Sequence, residues 1–222
     1  MPLSKSLEKM LELPLFQGMS KTDMSKVLSH TKLGFENYSN GKAIIEEGEE
    51  CRYLHFLLRG DITVVSKAYD NSYRIVETLS SPNILQPECL FGFTQRFTKS
   101  FISHGPCQMV RISKREIVAL SDEYQIFRIN LLNIISTQSQ RVSRLLWRAP
   151  QKDIRSKIIH FVGCRCTHPA GEKVLYIKME DLGHLIAESR LNVSRELNKM
   201  REENLIDLTR GIIRFHALEQ LI

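Results

Sequence analysis

The spacing of apolar positions changes character along this chain. Leu7, Met10, Leu11 and Leu15 fall on one face of a helix. Ser20 then caps a second predicted helix carrying Met24, Val27 and Leu28, with Asp23 at the capping-box position. From Leu33 to about Ile112 the helical period gives way to short strand-like runs. Phe35–Tyr38 and Ala43–Glu46 are separated by the turn Ser39-Asn40-Gly41-Lys42. Tyr53–Leu58 and Ile62–Val65 read as strands joined through Arg59-Gly60-Asp61, and Arg74–Leu79 and Gln108–Ile112 complete the set. Short strands at this spacing predict a sandwich or jelly-roll β-barrel.

Helical spacing returns from Asp122 to Trp147, with no glycine or proline before Pro150. Tyr124, Phe127, Leu131, Ile134, Gln138 and Leu145 follow 3-4 alternation, interrupted by Arg141. Ile126, Ile129, Leu132, Ile135, Val142 and Leu146 form a second stripe. Two stripes suit a helix that touches its own domain and a partner. Ala149-Pro150 reads as a hinge. Beyond it come a helix over Gln151–Gly163, a strand over Val174–Ile177 and a short terminal helix within His216–Ile222.

The stretch from Met179 to Ile206 organises the rest. Leu182, Leu185 and Ile186 place a short amphipathic helix inside Glu180–Ala187. Ser189 caps a second helix whose buried face is Val193, Leu197 and Met200. Its other face opens with Arg190, Leu191, Asn192, Ser194, Arg195 and Asn198. That is a helix-turn-helix whose second helix carries arginine near its start, and arginine is the side chain best shaped for bidentate contact with guanine. Asp207–Phe215 follows as strand, Gly211 turn, strand, the pattern of a wing.

Composition limits the alternatives. A formal charge of +6 and a pI near 9.1 permit nucleic-acid binding. The apolar runs are short for a membrane span, and the N-terminal residues lack the apolar stretch of a secretory signal, so a cytoplasmic protein without a membrane partner is expected. Five cysteines, an odd number at irregular spacing, favour reduced thiols over a disulfide framework. Cys164-x-Cys166-x-His168 lacks zinc-site spacing, so no metal is expected. No nucleophile–base pair, phosphate loop or paired acids stand in a pocket-like context, so no enzyme is expected.

Val193-Ser194-Arg195 and Glu203-Asn204-Leu205-Ile206 closely resemble the end of the DNA-binding domain in the CRP/FNR family of bacterial transcription regulators. Thr167–Gly171, Asp181-Leu182-Gly183 and Leu15–Ser20 are similar to the same family. Glu47-Gly48-Glu49 and Tyr53–Ile62 resemble its cyclic-nucleotide-binding fold. The resemblance covers nearly the whole chain. It implies an α+β architecture: a cyclic-nucleotide-binding-like jelly-roll barrel over 1–121, a dimerisation helix over 122–149 and a winged helix-turn-helix over 150–222. It implies double-stranded DNA, a second copy of the chain and RNA polymerase as partners. Phe127, Leu131, Ile134, Gln138 and Leu145 are the dimer-interface candidates.

On the same footing Arg190 and Arg195 are the expected base readers, with Ser189 and Ser194 on phosphates or base edges. Lys199, Arg201, Arg210 and Arg214 are candidates for phosphate contact. The family commonly has glutamate where this chain has Leu191, which packs instead of accepting from cytosine, so the operator is expected to differ from the familiar one. Family members that bind a cyclic nucleotide carry Gly-Glu at the start of a short helix and Arg-Ser or Arg-Thr about ten residues later. Here the glutamate position is Glu88, but Pro87 replaces the glycine and Phe97 falls at or near the arginine. Arg96, Thr98 and Lys99 are the remaining pocket candidates, and a different effector or none is expected. Haem would need axial ligands such as His55, His104 or Cys89, more simply read as ordinary barrel residues. The cysteine group that holds an iron–sulfur cluster in some relatives is missing near this N-terminus. The competing reading is a nucleotide-sensing module acting through protein–protein contacts.

Overall fold

The structure, a computed structural model, describes residues 9–146, 151–168 and 170–221. The chain divides into two compact units, Met1–Ile62 with Leu79–Arg144, and Thr63–Thr78 with Leu145–Ile222. Residues 63–78 therefore group with the C-terminal unit, whereas a division read from sequence alone leaves them within 1–121.

In the first unit α1 (Lys21–His30) is capped as expected, the Ser20 hydroxyl accepting from the Asp23 amide at 3.0 Å. β1 (Leu33–Tyr38) pairs antiparallel with β6 (Ser100–Ser113), Leu33 opposite Ile112 and Tyr38 opposite Cys107. β2 (Ala43–Ile45) also pairs with β6. β3 (Tyr53–Lys67) pairs with β5 (Asn83–Leu85), placing His55 opposite Leu85. Both faces of the first part of β3 are buried. Leu54, Phe56 and Leu58 alternate with His55 and Leu57, as a strand's period of two dictates. Phe56 meets Phe16 at 5.8 Å, and Phe16 meets Phe127 at 5.5 Å. His55 on the opposite face meets Phe97 at 5.9 Å.

Two expectations are corrected here. β3 runs unbroken through Gly60, where two strands joined by a turn were expected. Gly60 takes φ +85°, and a Cβ there would lie 2.5 Å from the Pro106 carbonyl oxygen, so this glycine permits a bend and a close backbone approach within one strand. The helix expected over 122–147 starts later, as α3 (Gln125–Leu146), and is preceded by a separate helix that was not expected, α2 (Lys114–Glu123), capped by Ser113. Tyr124 between them is extended (φ −117°, ψ 103°), a break without glycine or proline. The hinge at Ala149-Pro150, together with Leu7 and Trp147, lies outside the described residues.

The second unit holds β4 (Tyr73–Ser80) up to Thr78, α4 (Ile154–Gly163), β7 (Lys173–Ile177), α5 (Met179–Leu185), α6 (Arg190–Glu202), β8 (Ile206–Thr209) and β9 (Ile212–Phe215). The strands form an antiparallel sheet in the order β4-β7-β9-β8. α4 begins three residues later than expected, because the Asp153 side chain accepts from the Ser156 amide at 2.8 Å and sets the start. The last residues form only a 3-10 turn, Leu218–Gln220. Ile158, Phe161, Val162, Leu175, Leu182, Val193, Leu197, Ile206, Ile213 and Phe215 build one core, and Ile75 of β4 belongs to it.

β4 is a working strand of that sheet. Tyr73–Glu77 pairs with Lys173–Ile177, the Tyr73 hydroxyl accepts from Arg165 Nε at 2.8 Å, and Arg74 lies 4.1 Å from the Tyr176 ring centroid. Glu77 and Lys173 are both buried, with side chains 2% and 1% exposed and 3.4 Å apart. The Glu77 carboxylate also accepts from the Thr167 and His168 amides at 2.6 and 3.3 Å, and the Lys173 ammonium donates to the Ala170 carbonyl at 2.6 Å. The buried charges are thus both paired and hydrogen-bonded.

Candidate nucleic-acid interface

α5 and α6 are joined by a turn built on close backbone approach. The Glu188 amide donates to the Gly183 carbonyl at 2.9 Å, and a Cβ on Gly183 would sit 2.7 Å from the Glu188 oxygen. Ala187 makes the reversal at φ +55°, a conformation that suits glycine better. Ser189 caps α6, its hydroxyl oxygen accepting from the Asn192 amide at 3.2 Å. α5 starts without a side-chain cap, as its sequence implies. At the far end of α6 Asn204 takes φ +58°, and the Leu205 amide returns to the Met200 carbonyl at 3.0 Å, closing the helix in a left-handed cap.

Val193, Leu197 and Met200 are fully buried, so α6 has a fixed inner face. Its outer face presents Arg190, Leu191, Arg195 and Lys199, all exposed, with Leu191 at 59%. Ser194 is half-buried, and its carbonyl accepts from the Asn198 side chain at 2.8 Å. Glu202 is the exposed acid on the same face. The hairpin β8–β9 turns at Arg210-Gly211, with Gly211 at φ +74° and Arg210 exposed at the tip. Arg201 is exposed, whereas Arg214 is engaged by Glu172 at 2.6 Å.

Sequence reasoning missed the residues behind this face. Arg155 of α4 donates through Nε to Glu196 at 2.7 Å and through Nη1 and Nη2 to the two oxygens of Glu203 at 2.8 and 2.9 Å. These hydrogen bonds to Glu203 and Glu196 raise the Arg155 pKa and hold Glu203 below the usual carboxylate range. Lys157 pairs with Glu188 in the turn at 2.5 Å. The available signal was the Arg-x-Lys pair on the first turn of α4 against acids spaced by seven along α6.

Residues 35–124 match the cyclic nucleotide-binding domain model, and residues 140–222 match the Crp-like helix-turn-helix domain. The cAMP-activated global transcriptional regulator CRP of Pasteurella multocida is 23% identical over 185 residues, covering 81% of this chain and 87% of the relative. The regulator Vfr of Pseudomonas aeruginosa, also described as cAMP-activated, is 22% identical over 192 residues, covering 82% and 88%. The catabolite activator protein of Thermus thermophilus has a similar fold, with a TM-score of 0.51 at 16% identity over 94% of this chain and 96% of that one. The chain belongs to the CRP/FNR family of transcription regulators.

In the first unit of this CRP/FNR protein the pocket candidates Glu88, Arg96, Thr98 and Lys99 lie along residues 86–99. Pro87–Cys89 is a single 3-10 turn, entered through Gln86 at φ 37°. The Gln86 side chain donates to the Thr98 hydroxyl at 2.6 Å and accepts from the Thr98 amide at 3.1 Å. Its amide nitrogen also lies 3.5 Å from the half-buried Glu88 carboxylate. Arg96 is exposed and donates to the Gly48 carbonyl at 2.8 Å, while Lys99 is half-buried. Glu88 and Thr98 are thus brought together, and Arg96 is held on the Gly48 loop. Phe97 is buried between His55 and Phe101. Gln86 was invisible to sequence reasoning because its role depends on a left-handed backbone and a partner twelve residues away.

Burial pushes the Cys89 thiol up to about 11 and His55 down to about 4. His55 is therefore neutral at pH 7, and its Nδ1 is buried without a hydrogen-bond partner. Among the described residues no group of three or more His, Cys, Asp or Glu is placed to hold a metal ion. No described helix is long and apolar enough to cross a membrane.

α3 redistributes the dimer candidates. Phe127 and Leu131 are buried against their own unit, while Ile134 and Gln138 are half-buried. The Leu145 side chain lies outside the described residues. Of the second stripe, Ile126 (40%), Ile129 (43%), Leu132 (57%) and Val142 (55%) are exposed and Ile135 is half-buried, while the Leu146 side chain lies outside the described residues.

Proposed function

We propose that this DNA-binding regulator works as a homodimer that reads a two-fold symmetric operator without a cyclic nucleotide. The observation that carries the reading is the outer face of α6, where Arg190, Leu191, Arg195 and Lys199 stand exposed just beyond the Ser189 cap. In the dimer two such helices enter successive major grooves about 34 Å apart. Arg190 and Arg195 read base edges, Leu191 packs on a thymine methyl, and Ser189, Ser194, Lys199, Arg201 and the Arg210 wing tip meet phosphates.

The second copy covers α3. The N-terminal half of the first stripe is spent on its own unit, so the partner contact shifts to Ile126, Ile129, Leu132 and Val142, which would otherwise leave apolar surface in water. The N-terminal unit, read as a jelly-roll barrel, has a degenerate cassette. Gln86 occupies Thr98, Phe97 fills the interior beside His55, and Arg96 is turned to the Gly48 loop. The cAMP named for the relatives thus lacks its phosphate partners in this chain. RNA polymerase is the protein partner, and the cytoplasm the compartment, that suit such a regulator.

Selection of bound DNA from a random pool, with and without cyclic AMP, tests this. A symmetric motif enriched equally in both arms is expected. Enrichment only with the nucleotide would refute the closed cassette, and no motif in either arm would refute the DNA-reading face. Arg195→Ala should cost about 1–3 kcal/mol at one base pair of each half-site and leave random-sequence binding nearly unchanged.

A further inference from the structure

Glu196 on α6 and Glu203 at its C-cap lie seven residues apart, close to two helical turns, and so share one flank. That flank runs between the buried row of Val193, Leu197 and Met200 and the exposed row of Leu191, Arg195 and Lys199. A single guanidinium, Arg155, holds both carboxylates, meeting Glu203 with two parallel hydrogen bonds and Glu196 with a third. Lys157, two residues further along α4, secures Glu188 at the turn that launches α6.

The apolar contacts of the inner face are non-directional. They fix the distance of α6 from its neighbours but tolerate small rotations about its axis. A roll of about 10° moves a side-chain tip some 5–6 Å from the axis by about 1 Å. Bidentate reading of a base is lost over such a displacement, because a site of this kind must be held to within about 0.5 Å. Hydrogen bonds from a planar fork are directional, and two carboxylates two turns apart leave α6 little freedom to roll.

We propose that Arg155 is a positioning residue for DNA readout, locking the roll of α6 and with it the aim of Arg190, Leu191 and Arg195. This rests on the reading of α6 as the recognition helix. The competing role is electrostatic: Arg155 would serve only to cancel two carboxylates on a helix that approaches phosphates. The two roles separate experimentally, because screening changes affinity for all DNA whereas aim changes the preference between sequences.

The test measures the full chain on its selected operator and on random duplex at one salt concentration. Three variants are compared with the wild type: Arg155→Ala, Arg155→Lys, and Arg155→Ala combined with Glu196→Gln and Glu203→Gln. Positioning predicts that Arg155→Ala loses at least roughly five- to a hundredfold in the operator-to-random ratio, the size of a single misread base pair in the operator. Random-duplex affinity should change less than about threefold, the limit that one altered surface charge sets. Arg155→Lys, which keeps the charge but not the fork and retains the fold's ion pair, should fall between the two. The triple variant, free of unpaired carboxylates, should remain as poor in ratio as Arg155→Ala. An unchanged ratio in Arg155→Ala, or a fully restored ratio in the triple variant, overturns the proposal. A wild-type chain that selects no sequence at all refutes the recognition-helix reading and this proposal with it.

Discussion

Replacing Lys173 with methionine gives a sharp test of how the second unit is held. The change keeps the volume and apolar stem of the side chain but leaves the Glu77 carboxylate, 2% exposed, without its ammonium partner. The Thr167 and His168 amides still donate to it, so part of the solvation remains. Breaking a buried ion pair by removing one partner costs roughly 3–5 kcal/mol. At about 1.4 kcal/mol per tenfold, local opening of the β4–β7 ladder should become two to three and a half orders of magnitude more frequent. The Ile177 amide donates to Gly211 on the β9 side, so by alternation Val174 and Tyr176 face β4, and amide hydrogen exchange at those two residues reads that opening directly, with β1 and β6 amides as the internal control. Adding Glu77→Gln removes the stranded charge while keeping an acceptor for Thr167. The double variant should therefore recover much of the lost protection, with a coupling of about 1–3 kcal/mol. Unchanged exchange in Lys173→Met, or a double variant no better than the single one, would refute the claim that this pair keys the strand into the sheet.

Other consequences follow from single side chains. His55 has a folded pKa near 4 against 6.5 unfolded, because burial disfavours its charged form. Its contribution is therefore fully present above pH 6.5 and is lost as pH falls toward 4, about 3 kcal/mol in all. Urea midpoints between pH 7 and pH 4 should fall less steeply for His55→Leu than for the wild type, and parallel slopes would count against the assignment. Ala187 sits at φ +55° in the helix-turn-helix turn. Ala187→Gly relieves about 1–2 kcal/mol of left-handed strain and returns about half of it as unfolded-chain entropy. The thermal midpoint should rise slightly, and a fall would show that the alanine methyl has a packing role.

What the sequence revealed depended on range. Ser20, Ser189 and the row Val193, Leu197, Met200 were readable because caps and helical faces are decided within a few residues. Ser113-Lys114-Arg115-Glu116 carries the same capping signal for α2, a helix absent from the sequence-based expectation. Gly60 is ambiguous locally, since a glycine that ends a strand and one that admits the Pro106 backbone look alike until β6 is beside it. Non-local choices were hidden altogether. Nothing in 63–78 announces that Ile75 will join the core of the second unit or that Glu77 will meet Lys173. For the cassette, Pro87 and Phe97 were legible departures, but the Gln86–Thr98 pair that fills the gap required the fold.

The charge balance gains meaning only when it is placed. A formal charge of +6 on a chain of 222 residues permits DNA binding and little more. On and around α6, however, acids and bases are sorted by side. Glu188, Glu196 and Glu203 are held by Lys157 and Arg155 of α4, so short charge-assisted hydrogen bonds to two cations offset most of the negative charge there. Arg190, Arg195 and Lys199 face outward with Glu202 as their acidic neighbour, leaving a net positive rim where phosphates would arrive. Arg214 is tied to Glu172, but that pair is exposed on both sides and so worth little, which leaves the arginine free to exchange its carboxylate for a phosphate. Cancelling charge on the packed side and conserving it on the outer side concentrates a modest excess into one helix face. That placement, more than the total charge, is what supports the proposed reading of DNA by α6.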